Sequence, residues 1–284
     1  MTILVTGGRG SVARALIDEL LAVDAPVRVV SRDPAQADVP AGVQVAAADL
    51  ARPESIPAVL DGVRAVFLYA EPAGIDGFLD AAAAAKVERI VLLSSQSAQE
   101  PDRSNPIAHR HVVVEEAIAA SGLAWTFVRP GAFATNALAW APSIRAQGVV
   151  RGAYPESHSA PIHERDMAEV AARALLEPGH EGQRYALTGP ESLPARGQVE
   201  VIGEVIGRPL RFEAVPLDEA REQLLAQMGP SAWPGIADTL LRYQADSDGR
   251  PVAVSDTVAA VTGRPARTFA TWVADHASAF RPER

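Results

Sequence analysis

The chain has 284 residues, a formal net charge of −9, and 48% hydrophobic but only 5% aromatic residues, a composition that builds a large globular core and excludes long disorder. The acidic balance argues against a nucleic acid or an anionic membrane as partner, and the lack of cysteine removes disulfides, thiolate catalysis and cysteine-based zinc sites together. No apolar run reaches the roughly 18 residues of a membrane span, and a first strand at residue 2 leaves no room for a signal peptide, so a cytoplasmic protein is expected.

Residues 3–5 form an apolar run that passes straight into Thr6-Gly-Gly-Arg-Gly-Ser-Val-Ala13 and then into helical apolar spacing over residues 12–21. The first amides of a helix have no partner inside it, and the helix dipole favours an anion there. A strand, a glycine turn and a helix in succession therefore make a seat for a dinucleotide pyrophosphate. In the spacing G-x-x-G-x-x-A, Gly7 permits the tight turn, Gly10 lets the backbone approach the phosphates, and Ala13 lets the helix pack on the strand. Gly8, Arg9, Ser11 and Val12 complete the contacts expected of that turn.

Further strands are expected at 27–30, 43–46, 65–68, 90–93 and 125–128, each apolar on both faces. Helices are expected at 56–60, 77–85 and 107–120, the last stopped by Gly122. Such runs belong to parallel strands covered on both sides, so residues 1–130 are read as an α/β domain, a Rossmann-type doubly wound parallel sheet. Beyond that point Pro142, Pro155, Pro161, Pro178, Pro190 and Pro194 punctuate shorter elements. Helices at 164–176, 197–206, 217–228 and 232–243, with a strand at 184–187, make residues 131–284 a smaller, mostly helical substrate-binding region. It is expected to pack on the first, with some segments returning to the sheet.

NAD-type units carry an acidic reader of the ribose 2′-OH at the end of the second strand, but residues 29–33 read Val-Val-Ser-Arg-Asp. The guanidinium of Arg32 suits a 2′-phosphate, and Arg9 can close on the same group. NADP is therefore the expected cofactor, the alternative being that Arg32 is a solvated partner of Asp33. Asp49, with Leu50 after it, is expected beside the adenine amino group, or else as a helix cap. Tyr69, Ala70 and Glu71 after the fourth strand, and Ser94 and Ser95 after the fifth, stand at carboxyl ends and are expected to line the nicotinamide half of the groove.

These stretches, with Ala48-Asp-Leu50, Val91-Leu-Leu-Ser-Ser95, residues 123–136 from Leu-Ala-Trp to Ala-Thr-Asn, Pro161-Ile-His-Glu-Arg-Asp-Met-Ala168 and Tyr185-Ala-Leu-Thr-Gly-Pro190, resemble the NmrA-like branch of the atypical short-chain dehydrogenases. The likeness is greatest to the NADPH:quinone oxidoreductase type and covers residues 1 to about 210. It implies an NADPH-dependent oxidoreductase that transfers hydride to a quinone, enone or related small carbonyl compound. Typical short-chain dehydrogenases carry Tyr-x-x-x-Lys, in which the lysine lowers the tyrosine pKa for proton exchange. Aligned on Glu115, this chain has Ile107 and His111 at those two places. Quinones and enones accept hydride readily, so positioning with a weak acid or water suffices.

His111 is expected to orient the nicotinamide ribose or to donate a proton; otherwise it belongs, with His109 and Arg110, to a polar helix start. Phe133, Asn136 and Trp140 follow the sixth strand and are expected to line the substrate pocket, with ordinary packing as the alternative. His158 and His163 flank a loop, where they cap the substrate or lie on the surface. His109 and His111, two apart on a helix, point to different faces, and no metal site is expected. Two other readings stay open: an NADP-sensing regulator acting on a protein partner, and a cyclase or isomerase that keeps the nucleotide structurally. The partners expected are a small-molecule substrate and a second copy of the chain in a homodimer.

Overall fold

The computed structural model describes residues 2–99, 102, 104–229 and 233–282. Its strands in chain order are β1 (Thr2–Val5), β2 (Val27–Ser31), β3 (Gln44–Ala47), β4 (Val63–Tyr69), β5 (Arg89–Leu93), β6 (Ala124–Pro130), β7 (Val149–Gly152), β8 (His158–Ser159), β9 (Gln183–Leu187), β10 (Leu193–Pro194) and β11 (Arg211–Ala214). The helices are α1 (Ser11–Leu21), α2 (Ile75–Ala84), α3 (Pro106–Ala120), α4 (Ala141–Gln147), α5 (Glu164–Leu176), α6 (Ala195–Ile206), α7 (Leu217–Met228), α8 (Ile236–Asp246), α9 (Thr257–Thr262), α10 (Phe269–Asp275) and α11 (Ala277–Phe280). They fall into two compact units, one of Met1–Pro130, Glu164–Leu187 and Thr257–Arg264, the other of Gly131–His163, Thr188–Asp256 and Pro265–Arg284.

The first unit is built on a parallel sheet of seven strands in the order β3-β2-β1-β4-β5-β6-β9. Successive side chains of a strand point to opposite faces. Leu4, Val66, Leu68, Leu92 and Phe127 thus meet Phe78 and Leu79 of α2 and Val114 and Ile118 of α3 in one core. Ile3, Val5, Phe67, Val91 and Val128 are equally buried on the other face, where α5 packs on α1 and against β4, β5 and β6. Each such side chain contributes about 1.5–3 kcal/mol by leaving water, which is why the strands read as continuous apolar runs. Helix α3 starts where Asn105 accepts the amides of Ile107 and Ala108 at 3.0 and 3.2 Å, with Pro106 at its first position.

Two of the expected helices need correction. The helix expected at 56–60 is replaced by two 3₁₀ turns, Pro53–Ser55 and Pro57–Val59. Pro57 has no N–H to give the carbonyl of Pro53, so the chain closes i→i+3 bonds instead, as in Ile56 N–H to Pro53 C=O at 3.1 Å. The strand expected at 184–187 is β9, a segment from beyond residue 130 that pairs with β6 in the main sheet. The helix expected at 232–243 begins only at Ile236, after Gly235 at φ +76°, and runs to Asp246; residue 232 itself lies outside the described residues.

The second unit is mostly helical. Its two small sheets pair β7 with β11 in parallel and β8 with β10 antiparallel. Phe269, Trp272, Val273 and Phe280 form its core with Ile144, Val150, Val199 and Ile202.

Candidate cofactor and active site

The glycine turn between β1 and α1 is shaped by what glycine lacks. Gly7 holds φ +67°, a left-handed conformation that costs other residues strain, and a Cβ there would lie 3.1 Å from Cδ1 of Tyr69. A Cβ on Gly8 would sit 2.5 Å from Cγ1 of Val29, so Gly8 lets the turn lie down on β2. On Gly10 a Cβ would meet only the carbonyl oxygen of Gly7 within 4 Å, at 3.2 Å, so that side of the turn is open. The amides of Ser11, Val12 and Ala13 precede the first helical bond, Arg14 N–H to Gly10 C=O at 3.0 Å. Helix α1 has neither a side-chain cap nor an acid in its first turn, so its positive end faces the same opening. Arg9 beside it is exposed.

Thr6, which sequence reasoning did not single out, fixes the neighbouring strand end. Its amide and hydroxyl both donate to the carbonyl of Phe67, at 3.0 and 3.1 Å, and its oxygen accepts the amide of Tyr69 at 2.9 Å. The signal was present: a polar residue closing an apolar strand just before the glycines. Arg32 is exposed at the end of β2, and the Ser31 hydroxyl donates to the Asp33 carbonyl at 2.9 Å and tightens the bend there. Among the described residues neither Arg9 nor Arg32 takes part in an ion pair. The Asp49 carboxylate accepts the amide of Ala51 at 3.1 Å, which shapes the loop after β3. Leu50 is 7% exposed and belongs to the apolar core.

At the end of β4, the ring of Tyr69 lies on the turn at Gly7, and its phenol feels the charges of Glu71, Arg110, Arg32 and Asp49. Burial first, and then Glu71, push its pKa up. Ala70 and Glu71 are both held by Arg110, whose Nε donates to the Ala70 carbonyl at 2.9 Å and whose Nη2 donates to the Glu71 carboxylate at 2.7 Å.

The carboxyl ends of β5 and β6 are arranged otherwise. Ser94 is 3% exposed and its hydroxyl donates to the buried carboxylate of Glu115, which Arg129 grips through Nε at 2.9 Å and through Nη2. Glu115, used above only for alignment, thereby ties α3 to β5 and β6. Arg129 was missed, although a charge inside the apolar run Phe127-Val-Arg129 signals a buried partner. Ser95 next door is half-buried, and its oxygen accepts both the amide of Ser97 at 3.2 Å and the Ser97 hydroxyl at 2.9 Å.

His111 is half-buried on α3, with Nδ1 2.8 Å from the Ile107 carbonyl. A carbonyl only accepts, so Nδ1 carries the hydrogen and Nε2 presents a lone pair. Burial is the main cause lowering its pKa, partly opposed by that bond, so the neutral form is favoured. His109 is exposed on the same helix, and among the described residues no three potential metal ligands come together.

In the second unit, Phe133 bridges to Ile162, whose carbonyl accepts the Ala134 amide at 2.9 Å. Asn136 is exposed in the 3₁₀ segment Ala134–Trp140, and Trp140 packs partly against the core of this unit. His158 has Nδ1 3.2 Å from the Ser192 hydroxyl. His163, expected at the surface or over a substrate, is instead 1% exposed, with Nε2 3.4 Å from an Asp275 oxygen. Helix α10 covers it, a contact that local sequence does not announce. No helix among the described residues is long and apolar enough to cross a membrane.

The uncapped helix end, the open face of Gly10 and two exposed arginines fit a phosphorylated dinucleotide, and the relatives of the chain make it an NAD(P)H-dependent oxidoreductase. A family model described as NAD(P)H-binding matches residues 7–178. The chain is 42% identical, over 99% of its length and 100% of the relative's, to a (4-alkanoyl-5-oxo-2,5-dihydrofuran-3-yl)methyl phosphate reductase of Streptomyces griseus. It is 36% identical to an NAD(P)H azoreductase of Xenophilus azovorans, over 98% of this chain and 99% of that one. The NADPH complex of an NADPH-dependent quinone oxidoreductase of Escherichia coli superimposes with a TM-score of 0.81 at 26% identity, covering 96% of this chain and 99% of the other. The chain belongs to the NAD(P)H-binding family. The cofactor that this family binds is NAD(P)H.

Proposed function

We propose that the chain reduces a quinone, an enone or a related small conjugated carbonyl compound, with Ser95 giving the hydrogen bond that the acceptor oxygen needs as charge builds on it. The carrying observation is the hydrogen-bond pattern of the two serines. Ser97 fills both acceptor positions of Ser95, which turns the Ser95 hydrogen away from Ser97 and leaves it for a ligand. The hydrogen of Ser94 is engaged by Glu115.

When bound, the reduced nicotinamide supplies the hydride. With Ile107 and His111 where tyrosine and lysine usually stand, no strong protein acid is offered at that pair. A conjugated acceptor suits this, because its oxyanion is delocalised and a hydroxyl donor with solvent protons suffices. The Nε2 lone pair of His111 is fitted to accept from a hydroxyl, such as one of the nicotinamide ribose, and not to donate a proton. The Glu115–Arg129 pair holds α3 so that His111 keeps its place. The named relatives act, by their names, on an oxo-dihydrofuran, on azo compounds and on quinones, all electron-poor acceptors. Phe133, Asn136 and Trp140 are proposed to contact the acceptor.

Steady NADPH consumption with a panel of quinones and enones, abolished in Gly10→Glu by a side chain in the phosphate seat, is the expected result. Tight NADPH binding without turnover on any acceptor would instead make the protein an NADP sensor.

A further inference from the structure

The strand order reverses between β1 and β4: the chain runs outward from β1 through β2 to β3, then returns to place β4 on the other side of β1. A doubly wound sheet holds its dinucleotide in the crevice that opens there, outside the carboxyl ends of the strands. The glycine turn after β1 borders that crevice on one side, and the segment Ala70-Glu-Pro-Ala-Gly74 between β4 and α2 borders it on the other. Close approach fixes one end of the segment, since a Cβ on Gly74, at φ +77°, would lie 2.3 Å from the Leu50 carbonyl oxygen. Arg110 fixes the other end from α3. Its Nε donates to the Ala70 carbonyl at 2.9 Å and its Nη2 to the Glu71 carboxylate at 2.7 Å, while the other Glu71 oxygen accepts the Ala73 amide at 3.1 Å. The Arg110 and Glu71 side chains are only 24% and 23% exposed, so salt and water screen this pair less than a surface one.

We propose that Arg110 is a positioning residue for the nicotinamide half of the cofactor: through Ala70 and Glu71 it ties the segment after β4 to α3, the helix that carries His111 next in the chain. Glu71 turns one oxygen to Arg110 and the other to the Ala73 amide, so its carboxylate holds the segment and does not read the ligand. Once released, the segment samples positions that the nicotinamide half cannot use, and the apparent affinity falls by the fraction of time it spends in place. The adenosine half belongs to the ends of β2 and β3, which these bonds do not involve. The acceptor plays no part in this, and failure of the quinone or enone reading would leave it standing.

Arg110→Gln removes both charge-assisted donors. Glu71→Gln keeps the bond to the Ala70 carbonyl and removes only the charge from the pair; it carries the same test where Arg110→Gln does not fold. Calorimetric titration with NADPH and with adenosine 2′,5′-bisphosphate separates the two halves of the cofactor, and a thermal midpoint accompanies each variant. Arg110→Gln should lose about tenfold on NADPH and less than about twofold on the bisphosphate, and Glu71→Gln should lose by a smaller factor with the same preference. Equal losses on both ligands would show that the whole groove is disturbed. An NADPH affinity left unchanged, whatever the midpoint does, would make the pair a structural tie only; either result overturns the proposal.

Discussion

At the carboxyl ends of β1 and β2, the groups that matter are left open: the first amides of α1 and the exposed Arg9 and Arg32 side chains. At the carboxyl ends of β5 and β6, a few strands along the same sheet, Ser94, Glu115 and Arg129 satisfy one another under cover. The first arrangement leaves donors free to meet phosphates. The second fixes α3 and makes no demand on a ligand, except through the two groups it leaves at its rim, the Ser95 hydrogen and His111 Nε2. A region that must read a ligand keeps its polar groups unengaged, and a region that must hold geometry pairs and buries them.

The largest effect follows from breaking the buried pair. Glu115→Leu leaves Arg129, only 12% exposed in its side chain, without its partner, and stability in urea should fall by about 3 kcal/mol or more. A fall of less than about 1 kcal/mol would place this pair among surface ion pairs and dissolve the contrast between the regions.

A smaller effect concerns His111. Its folded-state pKa lies below the ordinary value of 6.5, so between the two values the unfolded chain holds more protons. Its contribution to stability is full above pH 6.5 and is lost as the pH falls through the folded value. Denaturation midpoints compared between about pH 7.5 and 5.5 should drop less in His111→Asn than in the wild type. An equal drop would remove His111 from the titrating groups that matter.

The two regions also differ in how far the sequence discloses them. The cofactor end is legible because its requirements are local: glycines at the turn, an arginine where an acid is usual, apolar strands on either side. The paired end is not, because Glu115 and Arg129 meet only after α3 and β6 have packed, and no spacing rule links them. The same holds for β9, whose place beside β6 is a long-range pairing, and for His163, whose burial depends on α10 far along the chain. The misread helix at 56–60 was a local error, since Pro53 and Pro57 carried the information.

The most direct measurement is the single-turnover rate of acceptor reduction at saturating NADPH in Ser95→Ala and Ser94→Ala, each with its thermal midpoint. Ser95→Ala should slow reduction by about 100-fold, the scale of a lost oxyanion donor, and leave the midpoint nearly unchanged. Ser94→Ala should lower the midpoint and leave the rate within a few-fold of wild type. The reverse pattern, with Ser94→Ala slow and Ser95→Ala merely unstable, would contradict the division between a free and an engaged serine on which the account rests.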